Sequence, residues 1–179
     1  MAVFGCGGVG LSAIQGARQV AAHPIVAVDP VGVGRDLALR LGATHTIDPS
    51  VGDPVSALRA LLPAGADFTF DAIGQPEVSA QAFAATTQGG VTVLIGQPAM
   101  GVTAGLPTYD VTQFEHTVLG SNMGGACPAL DIPRLARLLA LGKLDLASLV
   151  TQRYPLARIN EAIALVESGQ AGRVVLDLS

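Results

Sequence analysis

Gly5, Gly7 and Gly10 stand at the spacing Gly-x-Gly-x-x-Gly, directly after the short apolar run Ala2-Val3-Phe4. Glycines so spaced can turn a chain tightly, admit a bulky anion to the backbone and seat a helix close to a sheet. In that division of labour Gly5 permits the turn, Gly7 admits a pyrophosphate, and Gly10 allows helix and sheet to touch. A helix beginning near Gly8 aims its unpaired N–H groups and positive dipole end at the phosphates. A second apolar run, Ile25 to Val28, ends on Asp29, whose carboxylate can accept hydrogen bonds from two ribose hydroxyls. Glycine is abundant here, 22 of 179 residues, so the spacing by itself is a weak signal. Strand, glycine turn, helix, strand and acid in that order is a far more specific one, and it points to a dinucleotide site. The competing reading is a glycine-rich turn that only packs a helix on a sheet.

Such a site needs a parallel sheet to hold it. Val3-Phe4, Ile25–Val28, Thr44–Ile47, Phe68–Phe70, Val91–Ile95 and Thr117–Gly120 read as strands. Leu11–Val20, Asp36–Leu41, Val55–Leu62 and Pro76–Thr86 read as the helices between them. The alternation predicts an α/β, doubly wound Rossmann sheet in the order 3-2-1-4-5-6. After about Met123 the pattern changes. Asp131 is expected to cap a helix that has Pro133 in its first turn and stops at Gly142. A second helix follows Pro155 and ends at Gly169, and residues 173–178 read as a stray final strand. These pieces suggest two units, a cofactor-binding domain over 1–122 and the edge of a second domain over 123–179.

Composition narrows the function classes. Half the residues are hydrophobic and 13% are charged, a balance suited to strands buried on both faces. The net charge of −4 with no basic run disfavours nucleic acid and anionic membrane as partners. Residues 78–109 are uncharged, but Gly, Pro, Thr and Gln break them before a span of about 18 apolar residues can form. The N-terminus lacks the basic segment of a secretory signal. Isolated Cys6 and Cys127 fit a reducing compartment, so a cytoplasmic protein is expected. His23, His45 and His116 form no Cys/His cluster at metal spacing and read as loop or surface residues. Asp67 and Asp71 read as polar strand ends rather than paired catalytic carboxylates. No Ser-His-Asp or Cys-His arrangement stands out.

Seven segments in order carry a family resemblance: Val-Phe-Gly-Cys-Gly-Gly-Val-Gly (3–10), Ala-Val-Asp-Pro (27–30), Leu-Gly-Ala-Thr-His (41–45), Phe-Asp-Ala-Ile-Gly (70–74), Gly-Gly-Val-Thr-Val-Leu-Ile-Gly (89–96), Asp-Ile-Pro-Arg-Leu (131–135) and Tyr-Pro-Leu-Ala-Arg-Ile-Asn-Glu-Ala (154–162). On these the chain resembles the C-terminal half of zinc-type, medium-chain alcohol dehydrogenases, above all the class III-like and mycothiol- or nitrosoaniline-dependent branch. The resemblance implies that Gly7, Gly8 and Val9 cradle the pyrophosphate of NAD and that Asp29 holds its adenosine ribose. It places Ala72 and Ile73 on the adenine and ribose cleft. Backbone groups of Ile95, Gly96, Gln97, Ser121 and Met123 would hold the nicotinamide, and Arg173 would reach the pyrophosphate. Ile73 and Ile95 could equally be plain core, and Arg173 an ordinary surface cation. The family carries Lys or Arg five residues beyond the ribose acid, where this chain has Gly34; Arg35 follows it and is the candidate substitute.

The same resemblance puts the family's zinc ligands before the glycine turn. The expectation is therefore an NAD-binding portion of an oxidoreductase that moves hydride between an alcohol or aldehyde and NAD. Zinc would be bound only by the complete enzyme, and turnover would need a catalytic half. The family also pairs sheets of two subunits edge to edge, near residues 104–107 here, so a homo-oligomer or partner subunit is expected. A non-catalytic NAD(H)-binding module is the alternative. A methyltransferase of similar fold ranks below both, because Val3 and Phe4 occupy the place where those enzymes carry an acid.

Overall fold

The protein's structure is a computed structural model that describes residues 1–169 and 171–178; Gln170 and Ser179, within the C-terminal segment, lie outside the described residues. The elements run β1 (Ala2–Phe4), α1 (Gly8–Gln19), β2 (Val26–Val28), α2 (Gly32–Leu41), β3 (His45–Ile47), α3 (Pro54–Leu61), β4 (Ala66–Asp71), α4 (Pro76–Ala84), β5 (Thr86–Leu94), α5 (Thr108–Gln113) and β6 (Thr117–Gly120). Then follow α6 (Pro128–Ala140), β7 (Val150–Pro155), α7 (Ile159–Glu167) and β8 (Arg173–Asp177). The first six strands form one parallel sheet in the order β3-β2-β1-β4-β5-β6, as the alternation predicts. Val3 pairs with Ala27 on one side and Phe70 on the other, so β1 lies at the centre, where the chain reverses its direction of winding.

Alternate residues of the central strands feed two separate cores, because successive strand side chains point to opposite faces. Val3 and Ala27 pack with Leu11, Ile14, Leu37 and Leu41 of α1 and α2. Ala2, Phe4, Val26 and Val28 pack with Leu58 and Ala82 of α3 and α4. Both faces are thus covered, and this explains why β1 and β2 are apolar at every position. The far half of the sheet is pinned differently. The hydroxyls of Thr69, Thr86 and Thr92, all buried, form a closed triangle at 2.8, 2.8 and 3.2 Å across the β4–β5 register shift.

The C-terminal segment departs from expectation in three ways. The final strand is not stray: β8 pairs in parallel with β7, in a second, two-stranded sheet. The polar run Thr151-Gln152-Arg153 hid β7, because it offers no apolar alternation. Helix α6 starts at Pro128 behind Cys127, not behind Asp131; the Asp131 carboxylate instead reaches back to accept the Cys127 N–H at 2.8 Å. Pro133 therefore lies in the second turn. Docking onto the main sheet runs through α1. Buried Gln15 donates to the Asp145 carbonyl at 3.0 Å and accepts its N–H at 2.7 Å, while Leu149 enters the α1–α2 core. Among the described residues no helix is long and apolar enough to cross a membrane.

Candidate functional site

The C-terminal ends of β1, β2, β4, β5 and β6 carry most of the residues singled out from sequence. The turn after β1 is as tight as its glycines suggest. A Cβ built on Gly10 would lie 1.8 Å from the Gly5 carbonyl oxygen, so helix α1 and the turn touch through bare backbone. Gly5 adopts φ +98°, a conformation that favours glycine, with Ile73 packed against it. Gly7 is the opposite case: a Cβ there meets nothing within 4 Å, so the approach to the helix start is open. Helix α1 has no side-chain cap and no acid in its first turn, which leaves its N-terminal N–H groups to an anion. Arg173, from the start of β8, lies over this end; its Nη2 would be 2.8 Å from a Cβ on Gly8. Val9 is exposed beside them. A doubly charged pyrophosphate fits this combination of open backbone, helix dipole and guanidinium.

Asp29 sits at the tip of β2, one strand over. Its Oδ2 accepts the Cys6 N–H at 2.6 Å and its Oδ1 accepts the Val31 N–H at 2.7 Å. An ionised carboxylate has about four acceptor positions, so two remain for a ribose diol. Arg35 does not point into open solvent. It donates to the Asp29 carbonyl at 2.6 Å and forms an ion pair with Asp48, beyond the end of β3, at 2.9 Å. The Ser50 hydroxyl and N–H, and then Arg35, hold the Asp48 carboxyl below its ordinary range. At Gly34 a Cβ would press on Cys6 Cβ at 3.2 Å, which makes glycine the comfortable residue there.

Burial, and secondarily the Asp29 carboxylate, push the Cys6 thiol up from its ordinary value of 9.0 to about 12. Since the folded thiol keeps its proton longer than the unfolded one, its contribution to stability is complete below pH 9 and lost as the pH climbs towards 12. Cys127 is exposed. Native protein titrated with a chromogenic disulfide reagent at pH 8 should therefore release one thiol per chain quickly and a second only on unfolding. Two fast thiols would contradict the buried, protonated Cys6.

On the other side of β1, the loops after β4, β5 and β6 meet. A cleft of about 350 Å³ is lined by Ile95, Gly96, Gln97 and Ser121 together with Leu94 and Asn122. Ala72 is tied to β1 by its N–H to the Phe4 carbonyl at 2.9 Å. Met123 stands just outside the cleft, 81% exposed, in a left-handed stretch with Gly124 and Gly125. Two residues that hold these loops were missed from sequence. Asp71, read there as a plain strand end, is fully buried and bonds the loop N–H groups of Ile73 and Gly74. Ser79 donates to the same carboxylate at 2.6 Å. The signal was present in Asp71-Ala-Ile-Gly74, the pattern of an aspartate turning the chain onto its own carboxylate. His116, read as a loop or surface residue, is half-buried edge-on against Phe83. Among the described residues no group of three or more His, Cys, Asp or Glu side chains could hold a metal ion.

A family model described as zinc-binding dehydrogenase matches residues 8–140. The geraniol dehydrogenase of Castellaniella defragrans is 39% identical over 177 residues, which cover 98% of this chain and 47% of that protein. The NDMA-dependent alcohol dehydrogenase of Amycolatopsis methanolica is 38% identical over 180 residues, 97% of this chain and 48% of its own length. The crystal structure of benzyl alcohol dehydrogenase from Acinetobacter calcoaceticus superposes with a TM-score of 0.94 at 33% identity, over 99% of this chain and 49% of that one. The chain thus spans about half the length of the curated relatives it matches.

Proposed function

The chain belongs to the zinc-binding dehydrogenase family, and from that premise we propose that it binds NAD(H) along the C-terminal edge of its main sheet, as the cofactor-holding portion of an alcohol or aldehyde oxidoreductase. One observation carries the reading: Asp29 after β2, the open approach at Gly7 after β1, and the cleft of Ile95, Gln97 and Ser121 after β5 and β6 lie along the same edge of the sheet. A dinucleotide laid on that line puts ribose on Asp29, pyrophosphate under Arg173 and nicotinamide in the cleft. Bound there, NAD would supply the hydride-accepting ring; these residues bind and orient it. Residues 1–122 make the cofactor domain and 123–179 the C-terminal segment of a catalytic domain; zinc, where a complete family enzyme binds it, would supply a Lewis acid for the substrate oxygen. The isolated Cys6 and Cys127 suit a reducing, cytoplasmic setting.

A second reading is a binding module without turnover of its own. An assay of the 179-residue chain separates the possibilities. NADH should bind, and alcohol oxidation should appear only after a catalytic half from a related enzyme is added. Turnover by the chain alone would overturn the cofactor-portion reading, and binding with no turnover in the mixture would favour the module. Self-association is proposed too. Strand β6 is a sheet edge with Leu119 half-exposed, and Ile159, Ile163, Val166 and Leu176 line an apolar groove between α7 and β8. Light scattering at micromolar concentration should find a dimer; a clean monomer would contradict this.

A further inference from the structure

We propose that Asp71 is a positioning residue that sets the loop 72–74 and the nicotinamide-side loop 95–97 together, an inference that rests on the NAD(H) reading above. Asp71 ends β4, between Phe4 of β1 and Leu94 of β5. Its position joins the two sides of the site, and both of its oxygen-bearing groups are used for that. Carboxylate Oδ1 accepts the Ile73 N–H at 2.9 Å and the Gly74 N–H at 3.0 Å, and Oδ2 accepts the Ser79 hydroxyl at 2.6 Å. The main-chain carbonyl accepts the N–H groups of Ile95 and Gly96, both at 2.9 Å. One residue therefore sets the loop 72–74 and the loop 95–97 together.

Glycine contacts lock the arrangement. A Cβ built on Gly96 would lie 2.0 Å from the Gly74 nitrogen, so the two loops cross backbone to backbone. Gly74 holds φ +84°, which the Asp71 bond to its N–H stabilises. Ile73, fixed by the same carboxylate, packs on Gly5 and so ties this half of the site to the phosphate turn. The carboxylate is fully buried and bears three donors, the pattern of a charge satisfied in place. The adenosine side depends on a different acid, Asp29, bonded to Cys6 and Val31. Damage at the Asp71 carboxylate should therefore reach loop 72–74 directly and the nicotinamide-side loop through the Gly74–Gly96 contact, so NADH, which uses both, should lose more than AMP.

The test compares 5′-AMP with NADH on the wild-type chain, Asp71→Asn and Ser79→Ala, by calorimetry and by the emission of bound NADH. Asparagine cannot accept on both sides of its side chain, so it keeps one set of bonds and loses the other. Asp71→Asn should weaken AMP about threefold, weaken NADH about tenfold or more and abolish the enhancement of NADH emission. Ser79→Ala, which removes one donor to the carboxylate and leaves its bonds to the Ile73 and Gly74 N–H groups in place, should show the same split at smaller size if Asp71→Asn does not fold. Parallel loss of AMP and NADH, or an unchanged ratio, would overturn the positioning role. A wild-type chain that binds AMP yet gains nothing from the nicotinamide half would instead overturn the cofactor reading itself.

Discussion

Asp29→Ala should weaken NADH binding by about a hundredfold or more and erase the preference for NADH over NADPH. Two hydrogen bonds from ribose hydroxyls to a charged acceptor are lost, each worth about 1.5–3 kcal/mol. The Cys6 and Val31 N–H groups, now bonded to the carboxylate at 2.6 and 2.7 Å, are also left without it, and the glycine turn loosens. For NADPH the carboxylate is a like charge beside the 2′-phosphate, so its removal helps that cofactor while it harms the other. The gain stays small in the single variant, because Arg35 remains engaged with Asp48 and the Asp29 carbonyl. Asp29→Ala with Asp48→Asn removes the ion pair, leaves the guanidinium held only by the residue-29 carbonyl, and should add about another tenfold for NADPH. Calorimetric titration of both cofactors, with folding checked by circular dichroism, measures this. Equal NADPH affinity in the single and double variants would show that Asp48 does not restrain Arg35.

Gly10→Ala and Gly7→Ala should separate folding from binding within one turn. At Gly10 the new methyl would meet the Gly5 carbonyl oxygen at 1.8 Å and its carbon at 2.9 Å, both backbone atoms that cannot swing aside. Helix α1 must then lift off β1, and the Leu11 and Ile14 packing goes with it. The expected loss is about 3 kcal/mol of stability or more, read as a fall in the urea midpoint. At Gly7 the backbone is extended at φ −76° and the methyl meets nothing, so stability should move by no more than about 0.5 kcal/mol. That methyl stands where the pyrophosphate approaches, and NADH affinity should fall about tenfold or more. A Gly7→Ala chain that binds NADH normally would remove the phosphate from the turn. A stable Gly10→Ala chain would contradict the close contact with Gly5.

Local signals carried the main sheet: apolar strands, interrupted by helices, fix both the parallel pairing and the place of β1 at the centre. The close approach of α1 to the sheet at Gly10 was legible for the same reason, since the Gly-x-Gly-x-x-Gly spacing predicts it. What stayed hidden depends on neighbours distant in sequence. Arg35 meets Asp48 because β3 lies beside β2, a pairing that no spacing of charges announces. Asp71 looked like a solvated strand end, yet β1 and β5 on either side bury it and turn its carboxylate onto its own loop. The Gln15 side chain holds Asp145, 130 residues away, and its position on a helix face otherwise apolar gave no sign of a partner. Strand β7 is visible only through β8, since half-exposed polar residues form a strand there because a partner backbone is at hand.

Titration of the unaltered chain with NADH and NADPH by calorimetry is the most direct test of the whole account. The site runs from a carboxylate that accepts a ribose diol, past an open helix start beneath a guanidinium, to the cleft behind Asp71. Saturable binding of one NADH per chain, at least about tenfold tighter than NADPH, is the result it predicts. No saturable heat with NADH, or NADPH binding as tight as NADH, would contradict it.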